Sequence, residues 1–280
     1  MRYTALWCKA GDALMSTLRV AWALEKAALR GQLEYRVNFI VSTVMGIAYQ
    51  GSGFAFIYVV LHSFHTVGGW DFGDLAFLYS LRLLAHACCY LPFNQVDMLG
   101  DTVREGKFDR YLVRPMNPLI QQMTNKFQIN AVGDVATASA LFVFAASIAH
   151  VDFSPLHIAY LVLAVIGGAL AEGGFILAVS SLAFRFLETW AAAALVDNIY
   201  LMFGSYPMRV FGATTAWIMT WIIPVAFVAY IPASVLLDRT NGLHIAPVVA
   251  YCAPAVGFLW FFAAYQLWRF QVRHYQSSGS

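Results

Sequence analysis

Apolar residues come in long blocks along this chain and polar residues in short ones. Asn38–Leu61, Leu75–Leu99, Phe127–Ala149, Ile158–Phe184, Trp190–Gly204 and Ile245–Trp268 are the main apolar blocks. A helix of about 20 apolar residues spans the roughly 30 Å hydrocarbon core of a bilayer. The pattern therefore predicts an all-α membrane protein with six transmembrane helices, 38–280 forming a single transmembrane domain. A further apolar run, Trp221–Leu237, is short and contains Pro224 and Pro232. Proline removes a helical donor and clashes with the preceding turn. Non-helical backbone is tolerated at membrane depth only where protein or water satisfies it. The stretch 205–240 is accordingly expected to be a re-entrant hairpin, dipping in from the outer face between spans five and six.

Residues 1–37 follow another pattern. Arg2, Lys9, Arg19, Lys26, Arg30 and Arg36 interrupt every apolar run, so no signal-peptide core is expected. On a helical wheel Leu14, Leu18, Trp22, Leu29 and Leu33 share one side, with Arg19, Lys26 and Arg30 on an adjoining arc. That is the pattern of an amphipathic helix lying in the cytoplasmic interface.

Composition sharpens the class. The chain is 60% hydrophobic and only 11% charged, with a mean hydropathy of +0.65. Soluble domains carry roughly 25% charged residues, so this chain is built for lipid. With spans threaded as above, fourteen Lys and Arg fall on one side and only Arg209 and Arg239 on the other. By the positive-inside rule both termini are expected in the cytoplasm, on a multi-pass protein of the inner (plasma) membrane.

The one long polar interruption is Gly100–Lys126, which holds five of the seventeen basic residues. Arg104, Lys107, Arg110 and Arg114 recur at three- and four-residue spacing, which on a helix places them along one face. Asp101, Glu105 and Asp109 are interleaved, and Pro115 and Pro118 close the pattern. Either this is a solvated cytoplasmic loop or it is a charged helix built for docking, with Phe108, Tyr111 and Leu112 as apolar anchors.

Four ionisable residues sit inside apolar blocks: Arg82, His86, Glu172 and Asp197. A charge at bilayer depth costs on the order of 2.5–3.5 kcal/mol on insertion scales, so each needs a partner or water. They are expected to face the bundle interior or a seam with another chain, not lipid, with Arg82 paired to Glu172 or Asp197, and to form either a structural ion pair or a polar layer inside the bundle. Gly167, Gly168, Gly173 and Gly174 surround Glu172 and either let helices approach closely or act as a flexible gate. Tryptophans near the span ends, Trp70, Trp190, Trp217, Trp221, Trp260 and Trp268, read as interfacial belts. The four cysteines show no framework spacing and read as free, buried thiols. His62 and His65 near Asp71 and Asp74 are polar interface residues rather than a metal set. The chain has no H-E-x-x-H, no G-x-S-x-G and no G-x-x-x-x-G-K-[ST], and Lys107, which follows a glycine, is followed by Phe108. No catalytic residues, metal site, cofactor or nucleic-acid partner is expected.

Several stretches together resemble the membrane subunit of type 2 ABC exporters, and within them a group of uncharacterised permeases that work beside a second, related permease. They are LEYRVNF (Leu33–Phe39), VREGKFDRYLVRPMNPL (Val103–Leu119), SYPMRVF (Ser205–Phe211), IIPVAFVAYIPA (Ile222–Ala233) and RHYQSSGS (Arg273–Ser280). The resemblance runs from about Leu29 onward and leaves the N-terminal lead unassigned. It implies that Arg104–Pro115 is a coupling helix between spans two and three, seated in a groove of a separate ATPase. That partner would bind ATP and Mg as a dimer, and the permease would pair with a second copy or a sister chain. The cargo implied is a small molecule of drug, lipid or metabolite character, moved outward through the membrane lipid. Two other classes remain open: an ion-gradient-driven transporter working through Arg82, His86, Glu172 and Asp197, and a membrane scaffold without transport activity.

Overall fold

The computed structural model describes residues 36–64, 66–126, 129–149, 151–186, 189–243 and 245–275. The expected interfacial helix before residue 36 lies outside the described residues, as do Cys8 and the side chains of His62, His65 and Trp190. In chain order the helices are α1 (Arg36–Phe64), α2 (Phe72–Asp97), α3 (Leu99–Arg104), α4 (Asp109–Val113), α5 (Pro118–Met123), α6 (Ile129–Ile148), α7 (Pro155–Ser180), α8 (Trp190–Gly204), α9 (Ala213–Trp221), α10 (Tyr230–Leu236), α11 (Pro247–Tyr251) and α12 (Ala253–Val272). Short 3-10 turns lie at Ser181–Phe184, Met208–Phe211, Pro224–Phe227 and Thr240–Gly242. Among the described residues the regular structure is helical, with one isolated antiparallel bridge, Val67 to Trp70.

Phe72–Arg104, Ala131–Ile148 and Pro155–Phe184 are long and apolar enough to cross a membrane. Ala213–Trp221 and Pro224–Leu236 qualify together but are bent by 69° at the break before Pro224. Among the described residues three helices, or four with the bent pair, meet that length and hydropathy, against six spans expected. α1 is 29 residues long and apolar over at least Val44–Val59. In α8 the apolar stretch is Ala191–Gly204. α12 is 20 residues long but ends in a polar stretch with Gln266, Arg269 and Gln271.

Contacts show how these helices run. The start of α2 meets the end of α6, where a Cβ on Gly73 would stand 3.2 Å from Ala149. The rings of Phe54 and Tyr58, late in α1, lie 6.0 and 5.7 Å from Phe72. At the start of α7, the Tyr160 hydroxyl donates to the Ala250 carbonyl just before α12 (2.9 Å). At the opposite end Phe184, after α7, packs on Trp268 of α12 with centroids 5.1 Å apart. Helices α7 and α12 therefore lie side by side and parallel along their length. Their approach is close because glycines face each other: a Cβ on Gly257 would stand 1.9 Å from the Gly167 carbonyl oxygen. A Cβ on Gly174 would come within 3.0 Å of the Phe261 backbone. Of the two readings of these glycines, close packing is the one they display.

The start of α2 is defined by a turn and a cap. Gly68 and Gly69 have φ of 62° and 84°, the pair of positive values that a tight two-residue hairpin turn requires. Asp71 then accepts from the Asp74 amide (3.0 Å) while Asp74 accepts from the Asp71 amide (3.4 Å), a reciprocal capping box.

Two aromatic and thiol expectations are corrected. Trp70 and Trp268 are buried in the core rather than standing in a belt, Trp70 against Tyr230 and Trp268 against Phe184. Trp217 and Trp221 are exposed. Cys88, Cys89 and Cys252 are free, but Cys252 is exposed rather than buried.

Candidate functional site

Two places gather the polar residues of this apolar chain. The first lies between α2 and α7. Arg82 and His86 are one turn apart on α2, so both face the same side, and Glu172 of α7 meets them. His86 Nδ1 is 2.6 Å from Glu172 Oε1, and Arg82 Nη2 is 4.0 Å from the same oxygen. Arg82 is 3% exposed and Glu172 fully buried, while His86 is 30% exposed, its ring tilted against that of Tyr90 with centroids 5.4 Å apart. Glu172 Oε2 and Arg82 Nε have no hydrogen-bond partner among the described residues. Asp197 of α8 is half-buried, makes no ion pair with Arg82 among the described residues, and leaves Oδ1 without a partner. The structure thus brings Arg82, His86 and Glu172 together around one carboxylate oxygen.

Gln50 of α1 and Asp134 of α6 add a second polar contact that the sequence reading missed. Gln50 Nε2 donates to Asp134 Oδ1 at 3.1 Å, and a Cβ on Gly46 would stand 2.9 Å from that oxygen. A signal was present: Asp134 is an acidic residue inside an apolar block, the same mark that singled out Glu172 and Asp197.

The second place is the charged segment between α2 and α6. The spacing of its charges predicts one helix over Arg104–Pro115, and the structure breaks that helix. α3 ends at Arg104, Gly106 turns the chain with φ 67°, and only the five-residue α4 follows. Arg114 is extended before Pro115, as a residue preceding proline prefers to be. Asn117 then caps α5, its side chain accepting from the Leu119 amide at 2.9 Å.

Phe108 and Tyr111 do not present an apolar surface to a partner. Phe108 is 0% exposed and packs edge-on against Phe184 (4.8 Å), Tyr275 (5.2 Å) and Trp268 (6.3 Å), with Tyr111 beside it at 5.7 Å. The segment turns its aromatic residues inward because the ends of α7 and α12 offer an apolar pocket that water does not. Leu112 and Val113 face outward instead, Val113 being 83% exposed. Arg104, Glu105, Lys107, Arg110 and Arg114 are exposed and Asp109 half-buried. Arg104 pairs with Asp101 (2.7 Å) and Lys107 with Glu105, while Arg110 and Arg114 make no ion pair among the described residues. The Lys107 ammonium bonded to Glu105 holds that carboxyl below its usual range. Burial, with the Asp109 carboxylate beside it, pushes the Tyr275 phenol up to about 12.

Hydrogen bonds tie the segment to the bundle. Gln121 Nε2 donates to the carbonyls of Tyr111 and Met116 at 2.9 Å each, and Gln122 donates to the Gln95 carbonyl of α2. Asn117 Nδ2 donates to the Tyr265 hydroxyl of α12 at 2.8 Å. The charged surface is therefore fastened to both α2 and α12.

An all-helical apolar bundle with buried ionic contacts and a fastened charged segment at one end defines an integral membrane protein. A family model, the ABC-2 family transporter protein, matches residues 47–279, and the chain belongs to that family. It is thus of the membrane component of ABC transporters, whose ATPase lies in a separate subunit. Comparisons with curated proteins and with solved structures give no match.

Proposed function

We propose that this chain is the permease subunit of an ATP-driven exporter, passing a hydrophobic or amphipathic small molecule (a drug, lipid or metabolite) across the inner membrane. The observation that carries the reading is the mechanical attachment of residues 99–123. A coupling element must be stiff towards the bundle and chemically open towards its partner. Here the buried Phe108 cluster and the Gln121, Gln122 and Asn117 hydrogen bonds supply the stiffness. Exposed Arg104, Lys107, Arg110, Arg114 and Val113 supply the open face. Movement of a closing ATPase dimer against that face would pass into α2 and α12 as a rigid-body push.

In this reading the chain crosses the membrane six times, with α1, α2, α6, α7, α8 and α12 alternating in direction and both termini in the cytoplasm. The stretch 205–240 is the re-entrant hairpin, a reading supported by Arg209 and Arg239 lining one cavity beside Gly69. Its backbone reaches inward as far as Gly168, where a Cβ would stand 2.9 Å from the Val228 carbonyl oxygen. Arg82, His86, Glu172 and Asp197 belong to the translocation pathway or to the seam with a second copy or sister permease. ATP and Mg are held by the partner ATPase.

The test is co-purification of the chain with its ATPase. Glu105→Lys, Asp109→Lys, Arg110→Glu and Val113→Asp should each insert normally and weaken ATPase association and transport several-fold. Charge changes act mainly through association rate and the apolar-face change through complex lifetime. Normal association and transport in all four variants would remove the docking assignment. Transport that persists without the ATPase and follows an imposed proton gradient would favour an ion-driven carrier instead.

A further inference from the structure

The two basic residues at the Asp74 end of the bundle, Arg209 and Arg239, are thirty positions apart in sequence and line the same cavity. It measures about 230 Å³ and is walled by Trp70, Tyr230 and the backbone of Gly68, Gly69 and Gly242. Among the described lining residues the charged side chains are these two arginines, and no carboxylate lines it.

The arginines differ in commitment. Arg239 is held from outside the cavity: Nη2 lies 2.5 Å from Asp74 Oδ2 and 4.0 Å from Asp71 Oδ2, and Nη1 donates to the Gly69 carbonyl at 2.9 Å. Its guanidinium is positioned in advance, which lowers the ordering cost of binding. Arg209 makes no ion pair or hydrogen bond among the described residues, so its planar donor fork remains available. Water occupies roughly 30 Å³ per molecule, so a five-heavy-atom oxyanion and several waters fit such a volume.

A second cavity of about 260 Å³ adjoins the first and shares Tyr230 with it. Its walls are apolar: Met208, Trp217, Trp221, Ile231, Leu243 and Ile245 contribute, with Thr220 the main polar exception. A cavity lined by two arginines, beside an apolar one that shares Tyr230 with it, matches an amphiphile whose anionic head and hydrocarbon tail are joined directly.

We propose that these two cavities form one binding site for a phosphate-bearing amphiphile, its phosphate between Arg209 and Arg239 and its hydrocarbon chain against Trp217 and Trp221. Tyr230 stands at the junction. The site is separate from the Glu172 cluster and from the charged segment, and binding there requires neither ATP hydrolysis nor transport.

The experiment is direct binding to the full-length chain in neutral detergent, by calorimetry, with inorganic phosphate and with dihexanoyl phosphatidic acid as probes. The short-chain lipid should bind, and at least tenfold more tightly than inorganic phosphate. Arg209→Gln should lower its affinity about tenfold or more, with Arg209→Lys retaining part. Gly242→Asp offers an independent variant that keeps both arginines. A Cβ at 242 would stand 3.4 Å from Arg209 Nη1, so the new carboxylate would occupy the guanidinium and compete with the ligand. Equal affinities for the two probes, both lost in Arg209→Gln, would uphold the phosphate site and overturn the apolar half. Absence of binding by either probe, or binding unchanged in both Arg209→Gln and Gly242→Asp, would overturn the site altogether.

Discussion

Glu172 is the residue on which the interior depends most. Its Oε1 faces His86 at 2.6 Å and Arg82 at 4.0 Å in a place closed to solvent. Removing one member of a buried pair leaves the other charge uncompensated, a loss of about 3–5 kcal/mol, whereas replacing both is often neutral. Glu172→Gln is therefore expected to lower the thermal unfolding midpoint of the detergent-purified protein. The double variant Arg82→Gln/Glu172→Gln should recover most of that loss. A double variant no more stable than the single one would show that the two residues act independently. If the recovered double variant folds and inserts but does not transport, the cluster also serves the pathway; if it transports, the cluster is structural.

At the scale of elements, two contrasts separate packing from display. Phe108 fills the junction between the charged segment and the ends of α7 and α12, and Val113, five residues on, fills nothing. Truncating a buried phenylalanine costs about 3–5 kcal/mol, while surface changes stay within about 0.5 kcal/mol. Phe108→Ala should thus destabilise the isolated permease, and Val113→Ala should leave its melting point unchanged while loosening ATPase co-purification. Equal melting points for the two variants would contradict the burial of Phe108. The glycines of α7 and α12 give the second contrast. A methyl group at Gly257 meets the Gly167 carbonyl oxygen at 1.9 Å, whereas one at Gly51 of α1 meets nothing within 4 Å. Gly257→Ala should force the helices apart at a cost of about 1–3 kcal/mol. Gly51→Ala should be neutral or stabilising, by up to about 1 kcal/mol of helix propensity. Thermal midpoints of the two variants, measured side by side, decide it.

For the whole molecule the question is orientation. Cys252 is exposed at the junction of α11 and α12, at the end where Tyr160 meets Ala250 and away from Phe108. Arg110 sits at the opposite end on α4. With the other cysteines replaced, a membrane-impermeant maleimide should label Cys252 in intact cells. A cysteine-free chain carrying Arg110→Cys should be labelled only after permeabilisation. The reverse pattern would invert the topology and place the charged segment outside, which no cytoplasmic ATPase could reach. The cavity holding Arg209 and Arg239 lies at the Cys252 end, so the same experiment states which leaflet would supply a lipid to it.

Class, the order of blocks and the break at Pro224 were legible from residues alone, because hydrocarbon content and proline geometry act locally along the chain. The placing of Glu172 among apolar residues already demanded a partner. Which partner was another matter: Arg82 was expected to pair with Glu172 or with Asp197, yet His86, one turn on, makes the short contact with Glu172, since helix rotation is set by packing against α7. The charge spacing of residues 104–114 described a helix that Gly106 and the pull of Phe108 into the Phe184–Trp268 pocket break. Arg209 and Arg239 looked like two isolated outer charges. Only the return of the chain through α9 and α10 puts them on one cavity, because contacts across thirty residues are decided by how the bent pair packs and not by any pattern within it.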